Sequence, residues 1–406
     1  MDRNSLVSLP EKISTLPLLR DVTKHLKRGH LWIFKDCFDQ KTNLKSGIVE
    51  LIHKKDSIGY GVYQDDTQLS FRLLFLNEDP YYKKNNIPLT FKLWSEHNWK
   101  KALELRSHFP NSLTNSYRLI NGEGDNFAGL NIDIYNNVAV IKHDHPIMEK
   151  IWNHEKISEW LRRDLPFLQC IYLKRRNNEE EKGFNLFGEL PDEVLFLENG
   201  AYFASNIRDA AKTGFFLDQR DNRLLIKNFS KNKDVLNLFS YTGGFSLFAA
   251  LGGAKSTTSV DISKAAIEAA KRNFEVNKIQ TPHHAIAIDA FLFVEEKLKD
   301  KTKFDLVIAD PPSFAPSQKA IPQAIEGYTR VFSQALRLVK PGGMFAASSC
   351  SSHITYEVFL EICQNSLSKA NKRGKIVYFG AQPTDHPYPI SMTELRYLKF
   401  LLFSIE

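Results

Sequence analysis

Cysteine is scarce in this chain: four residues, at 37, 170, 350 and 363, among 406. None forms a CxxC pair and no histidine cluster stands at metal-ligand spacing, which excludes a disulfide-built scaffold and leaves no sign of a metal site. Long apolar runs are also missing. No stretch approaches the roughly 20 apolar residues of a membrane span. The opening MDRNSLVSLPEKISTLPLLR has no apolar core of signal-peptide length. A reduced, cytoplasmic protein without a membrane partner is the expectation. A large excess of one charge is absent too: 54 Lys+Arg against 47 Asp+Glu give +7, with a pI near 9.0. That leans towards an acidic partner such as nucleic acid. Residues 1–200 hold 28 of each sign and net to zero, so residues 201–406, with 26 and 19, carry the whole excess. The composition, 43% hydrophobic and 25% charged, is that of a globular chain and excludes wholesale disorder. At roughly 150 residues per domain the length suggests two or three domains.

The first 80 or so residues predict a small β domain. GIVELIH (47–53), SIGYGVYQ (57–64) and QLSFRLLFL (68–76) read as strands. Ahead of them, TKHLKRGHLWIFKDCF (23–38) interleaves Lys24, Lys27, Arg28, His30 and Lys35 with Trp32. Cations among aromatics suit phosphate and base contacts. The plain alternative is a solvated charged face with Trp32 and Phe34 in the core. NEDPYYKKNNIPLT (77–90) reads as a linker and HNWKKALELRSHF (97–109) as a helix. In 117–144, Gly122, Gly124 and Gly129 punctuate two strands and Asn136-Asn137 fits a hairpin turn. A helix near 147–163 and a strand CIYLKRR (170–176) follow; Lys174, Arg175 and Arg176 read as a solvated strand end, and NNEEEKG (177–183) as an exposed loop. From about 200 the pattern changes. Apolar runs such as DVLNLFS, TTSVDIS, HAIAIDA, FDLVIADPP and GMFAASSC alternate with helical segments. Strands this uniformly apolar are buried on both faces, which implies a parallel α/β sheet.

The chemistry-bearing residues stand at the ends of those strands. VLNLFSYTGGFSLFAALGGA (235–254) runs from a strand through a Tyr-Thr-Gly-Gly turn into a helix, where glycine lets the backbone approach a ligand. Asp261 follows Gly243 by 18 residues, at the next strand tip. A carboxylate so placed suits the two ribose hydroxyls of an adenosyl cofactor; Asp261 or Ser263 could equally cap the following helix. Asp289 could accept from an adenine amino group or cap its own helix. Asp310 precedes two prolines that stiffen the loop after the fourth strand. Cys350, in SSCSSH, is the cysteine at a strand tip, whereas Cys170 and Cys363 lie in apolar patterns and read as core.

The series from residue 200 resembles class I S-adenosylmethionine-dependent methyltransferases, which have a seven-stranded doubly wound sheet with a reversed last hairpin. Nearly the whole chain is similar to the RlmI-type family of 23S rRNA (cytosine-5)-methyltransferases. The matching strings are GHLWIFKD, RLINGEGDNFAGLNIDIY, KTGFFLDQRDNR (212–223), VLNLFSYTGGFSLFAALGG, DPPSFA, SSCSSH and DHPYPISMTELRYLKFLL. The resemblance implies an α/β, Rossmann-like methyltransferase domain over 199–406, a PUA-like RNA-binding domain over 1–80 and a central α/β domain over 81–198. It implies S-adenosylmethionine as methyl donor, no metal, and large-subunit rRNA as partner; family members can dimerise. Phe216 and Gln219 would flank the cofactor. Phe239, Ser240, Tyr241 and Gly243 would form its methionine-side loop. Asp261 would bind ribose, Asp289 would face adenine, and Asp310 would lie between methyl donor and base. Cys350 would be the nucleophile. Lys24, Lys27, Arg28 and Lys35 would contact RNA.

A cysteine is needed because carbon 5 of cytosine is too weak a nucleophile to attack a sulfonium methyl; a thiolate added to carbon 6 makes an enamine-like adduct that is strong enough. Thiolate formation needs a lowered pKa or a base, which the sequence does not name. Related RNA cytosine-5 enzymes carry a second cysteine where this chain has Ser313, so the group that removes the carbon-5 proton is unassigned, with Asp310 a candidate. Two other readings stand beside this one: guanine methylation at N7 or N2 on the same scaffold, and a non-catalytic RNA-binding factor.

Overall fold

A computed structural model describes residues 5–39, 41, 43–175, 183–210 and 212–406. The chain forms two compact units. Unit 1 comprises Met1–Asn111, Asn115–Val194 and Asp385–Thr393; unit 2 comprises Ser112–Thr114, Leu195–Thr384 and Glu394–Glu406.

Unit 1 contains two five-stranded sheets. The first is ordered Ser14–Leu18, Gly47–His53, Asp56–Tyr63, Leu69–Leu76, Trp32–Phe34, with a parallel first pair and antiparallel pairs after it. The second is ordered Gly183–Phe187, Cys170–Lys174, Val138–His143, Leu130–Tyr135, Ser116–Asn121. Asn136, with φ 55°, makes the expected turn between the last-formed pair Tyr135 and Val138. One apolar core serves both sheets: Val62, Leu74 and Phe75 pack with Trp94, Phe127, Ile132 and Ile141.

Three local expectations need correction. The stretch read as a linker ends in a helix, Ile87–Leu105, that starts ten residues before the expected 97. Asn86 accepts from the Leu89 amide and Pro88 occupies the first turn; an Asn cap with a Pro in the first turn is a helix start that resembles a turn when read alone. The helix expected over 147–163 is two, Pro146–Ile151 and His154–Asp164, because Asn153 restarts the second by accepting from Lys156 N. Lys174 is buried (5% exposed) rather than solvated, and Arg175 pairs with Glu149 at 2.6 Å. Arg176 and residues 177–182 lie outside the described residues.

The segment 385–393, from the terminal DHPYPISMT string, belongs to unit 1. The Asp385 carboxylate accepts from the Arg118 amide at 2.9 Å and its carbonyl accepts from Arg106 Nη2 at 2.9 Å. Arg106 also grips Asp125 with two nitrogens, at 2.6 and 2.7 Å, and both side chains are buried. The Pro387 carbonyl would stand 1.9 Å from a Cβ at position 124, so only glycine fits there.

Unit 2 carries the sheet expected from the alternating pattern. Its strands are β1 (Asp234–Leu238), β2 (Ser256–Asp261), β3 (His283–Ala287), β4 (Phe304–Ala309), β5 (Val339–Ser349), β6 (Gly374–Gly380) and β7 (Lys399–Ile405). Its helices are α1 (Arg220–Asn228), α2 (Gly244–Leu251), α3 (Lys264–Val276), α4 (Ala290–Lys299), α5 (Ile321–Leu336) and α6 (Tyr356–Lys369). The order is β3-β2-β1-β4-β5-β7-β6, parallel throughout β1–β5, with β7 antiparallel to both neighbours. This is the class I methyltransferase arrangement with its reversed last hairpin. Successive strand residues serve opposite cores. Leu236, Val307, Phe345 and Leu401 pack with Phe332 of α5 and Phe359 of α6. Val235, Leu306, Ala346 and Leu402 pack with Ile226 of α1 and Phe245 of α2. Two covered faces explain why the strands lack polar alternation, and each buried Val, Leu, Ile or Phe contributes about 1.5–3 kcal/mol.

Removing the Asp125 carboxylate would leave Arg106 buried without its counter-charge. Asp125→Ala should destabilise unit 1 by about 3–5 kcal/mol. All five tryptophans (32, 94, 99, 152, 160) lie in unit 1, so urea unfolding followed by tryptophan fluorescence reads this unit.

Candidate active site

The chain lays β1, β2 and β3 to one side and then starts β4 on the other side of β1. Ligands of open α/β sheets sit at the carboxyl ends of strands at such a reversal. The residues that leave β1 there are Phe239, Ser240, Tyr241, Thr242 and Gly243. Phe239 (φ 58°) and Tyr241 (φ 47°) are both left-handed, as is Gly243 (φ 74°). For a non-glycine residue this costs about 1–3 kcal/mol and persists only where the surroundings enforce it. They do so by hydrogen bonds: Ser240 N to the Val260 carbonyl, Tyr241 N to Asp261 Oδ2 and Gly243 N to the Ser240 carbonyl, each 2.9 Å.

Asp261 therefore fastens the loop, and its Oδ1 accepts from Ser263 N at 2.9 Å. The cap of α3 is Ser263, whose hydroxyl accepts from Ala266 N, which settles the choice between the two. Asp289 does cap α4, with Oδ1 accepting from Phe291 N and Leu292 N. Among the described residues Ser240 Oγ, which is buried, has no hydrogen-bond partner. A loop held in strained conformations around a polar atom with no protein partner is a cradle that an external ligand completes. Asp261 lies directly beside this cradle.

A second constellation spans β4, β5 and the FFLDQR segment. Gln219 is 4% exposed. Its Nε2 donates to Asp310 Oδ2 and to Ser348 Oγ, both at 3.0 Å, and its Oε1 accepts from Asn222 at 2.7 Å. Gln219 thus bridges two strand tips, and both amide hydrogens are spent inside the protein. Arg223 holds the segment in place: it pairs with buried Glu198 at 2.6 and 2.7 Å and donates to the Phe216 carbonyl at 2.8 Å. Phe216 meets the Tyr241 ring edge-on at 5.3 Å.

Burial raises the Asp310 carboxyl, which Asp218 raises further, while hydrogen bonds from Ser348 and Gln219 and the charge of Arg223 oppose this; the result is pushed up to about 6. Cys350 follows β5 and is half-buried, while Cys37, Cys170 and Cys363 are buried. Burial, Asp310 and Asp218 push the Cys350 thiol up to about 11 against the pull of Lys212 and Lys399. Beside it, Ser313 and Tyr328 both hydrogen-bond the Ser351 hydroxyl at 2.8 Å. Ser313 is thus engaged in a hydroxyl network.

Asn222, Glu198, Arg223, Ser348 and Lys399 were not singled out in the sequence. Asn222 and Arg223 could have been, since they follow Gln219 by about one helical turn; Glu198, Ser348 and Lys399 become neighbours of the site only through tertiary contacts. Lys24, Lys27 and Arg28 are exposed on and after the short helix Thr23–Lys27 of unit 1, and Lys35 is half-buried. Lys27 is paired with Glu78. Trp32 is half-buried and donates to Glu123 at 2.9 Å, whereas Phe34 is 46% exposed rather than in the core.

A protein-family model for S-adenosylmethionine-dependent methyltransferases matches residues 169–372, and one for a PUA-like domain matches 17–75. Ribosomal RNA large subunit methyltransferase I of Pseudoalteromonas atlantica is 30% identical, covering 94% of this chain and 97% of that one. Its counterpart from Aeromonas salmonicida is 32% identical over 95% and 98%. The crystal structure of SMU.776 complexed with SAH superposes with a TM-score of 0.83 at 26% identity, covering 97% of this chain and 100% of that one.

Gly243→Ala would set a Cβ 2.8 Å from the Ala270 Cβ while requiring φ 74°. It should destabilise the protein by about 1–3 kcal/mol, visible as a lower urea midpoint by far-ultraviolet circular dichroism. An unchanged midpoint would mean that the loop is free to relax.

Proposed function

We propose that this chain, which belongs to the S-adenosylmethionine-dependent methyltransferase family, methylates carbon 5 of a cytosine in large-subunit ribosomal RNA with Cys350 as the nucleophile. The observation that carries the reading is the position of Cys350: it is the half-buried cysteine among four, at the tip of β5, electrostatically coupled to Asp310 at the tip of β4. A guanine-N7 or -N2 enzyme has no use for a thiol there.

When bound, S-adenosylmethionine supplies an electrophilic methyl group. The chain's residues do the rest. Phe216, Phe239, Ser240, Tyr241 and Gly243 hold the methionine side, Asp261 the ribose, and Oδ2 of Asp289 the adenine. The Cys350 thiolate adds to carbon 6 and makes carbon 5 nucleophilic. Asp310, a carboxylate above about pH 6, then accepts the carbon-5 proton, and Cys350 leaves as the ring re-forms its double bond. Gln219 keeps Asp310 aimed and favours its charged form. The exposed Lys24, Lys27 and Arg28, with Lys35, supply phosphate contacts from the PUA-like module over 1–80; the central domain, 81–198, and the methyltransferase domain, 199–406, follow. The excess positive charge of residues 201–406 adds attraction near the reacting centre.

Cys350→Ala should abolish methyl transfer to rRNA while leaving SAH affinity within about threefold, measured by calorimetry; full turnover would sink the nucleophile assignment. Asp261→Ala should weaken SAH binding about tenfold or more, the loss of hydrogen bonds to a charged acceptor. Asp310 acts in its deprotonated form, so the acid side of the kcat/KM profile should steepen below about pH 6. A rate flat down to pH 5 would exclude it as the base. Bisulfite mapping of rRNA from cells with and without the gene identifies the methylated base.

A further inference from the structure

The proposed chemistry requires a thiolate, yet the surroundings of Cys350 favour the thiol, and Lys399 has been given no task. Lys399 opens β7, which runs antiparallel to β5 and places it opposite Ser349, next to Cys350. It is 1% exposed. Its Nζ donates to the carbonyl of Ser351, the residue after Cys350, and to that of Tyr397 at 2.7 Å. The lysine therefore brackets the cysteine from the facing strand. Among the described residues no carboxylate pairs with it, and its hydrogen bonds are to these two carbonyls.

The valences are informative. A neutral amine has two hydrogens and one lone pair. The two carbonyls take both hydrogens, so the lone pair is what remains. An ammonium in the same place would have a third hydrogen for a thiolate. We propose that Lys399 accepts the Cys350 thiol proton, so that β7 supplies the base for the nucleophile carried on β5. This rests on the reading of Cys350 as the nucleophile. The S–H bond breaks, an N–H bond forms at Nζ, and the electron pair stays on sulfur to attack carbon 6. When the sulfur is expelled at the end of the cycle, the ammonium returns the proton.

The electrostatics agree. Burial pulls the Lys399 amine down to about 8, the negative charge on Cys350 pulls it back up, and Arg396 pushes it down. A lysine so placed is partly neutral near physiological pH, as an acceptor must be. The charged groups acting on Cys350 are Asp310 and Asp218, which disfavour the thiolate, and Lys212 and Lys399, which favour it. The Tyr328 phenol also feels the thiolate.

The test is the alkylation rate of Cys350 by iodoacetamide in the full chain, without RNA, followed by mass spectrometry from pH 6 to 10. The other three cysteines are buried and serve as internal references. Lys399→Met removes the amine and keeps the stem. It should move the alkylation profile up by about one pH unit or more, which slows labelling about tenfold at pH 7.5. Lys399→Arg, which keeps a positive charge, should recover part of the reactivity while methyl transfer stays impaired, since guanidinium accepts no proton. A folded Lys399→Met protein, with SAH affinity like the parent, that alkylates at the parental rate across the range overturns the proposal. If Lys399→Met fails to fold, Lys399→Gln, which retains N–H donors but no basic lone pair, is held to the same criterion. The assay does not depend on methylation. Normal turnover of Cys350→Ala alongside slowed alkylation of Lys399→Met would reject the nucleophile reading and leave the proton transfer standing.

Discussion

The active edge of this molecule depends on one buried amide. Gln219 is enclosed by protein, and a buried amide left unpaired costs about 1–3 kcal/mol per group. Its demands are met by Asp310 on β4, Ser348 on β5 and Asn222 on α1. Two strand tips and the segment that precedes the sheet are thereby fixed to one another. The amide is itself fixed by the chain beside it, because Arg223 is locked to Glu198 and to the Phe216 carbonyl. The loop after β1 answers to the same frame through the contact of Phe216 with Tyr241.

The frame also sets the charges. Removing water penalises any ion, so in one small space the Asp310 carboxyl is raised, the Cys350 thiol is raised and the Lys399 amine is lowered. The three shifts have one leading cause and draw together groups whose ordinary pKa values lie far apart. Proton exchange between a thiol, an amine and a carboxylate becomes feasible near neutrality because each has lost the solvation that held it in its usual form. The second cysteine of related enzymes is replaced here by Ser313, which joins the hydroxyls of Ser351 and Tyr328. In the proposed mechanism the proton transfers fall to charged side chains.

What was legible in the sequence was short-range. Uniformly apolar runs alternating with helical segments gave the parallel sheet, since a strand covered on both faces needs no polar residue, and Val235 and Leu236 do face opposite cores. Strand tips could be located because a strand is a local object. Asp261, Asp289, Asp310 and Cys350 could be named for the same reason. Local reading failed where a signal has two meanings: Asn86-Ile87-Pro88 reads as a linker until the helix that Asn86 caps is seen.

By itself, then, the sequence determined the class of sheet, the order of its strands and helices along the chain, and the residue types at each strand tip, all properties carried by neighbours in the chain. Tertiary structure alone decided who meets whom. Gln219 reaches Asp310 across 91 positions, and Lys399 reaches Ser351 across 48. The string at 385–393 joins unit 1, although the strands on either side of it, β6 and β7, pair in unit 2. Such pairings follow from strand order and sheet reversal. No periodicity encodes them, because a hydrogen bond between distant residues leaves no pattern in the residues between them.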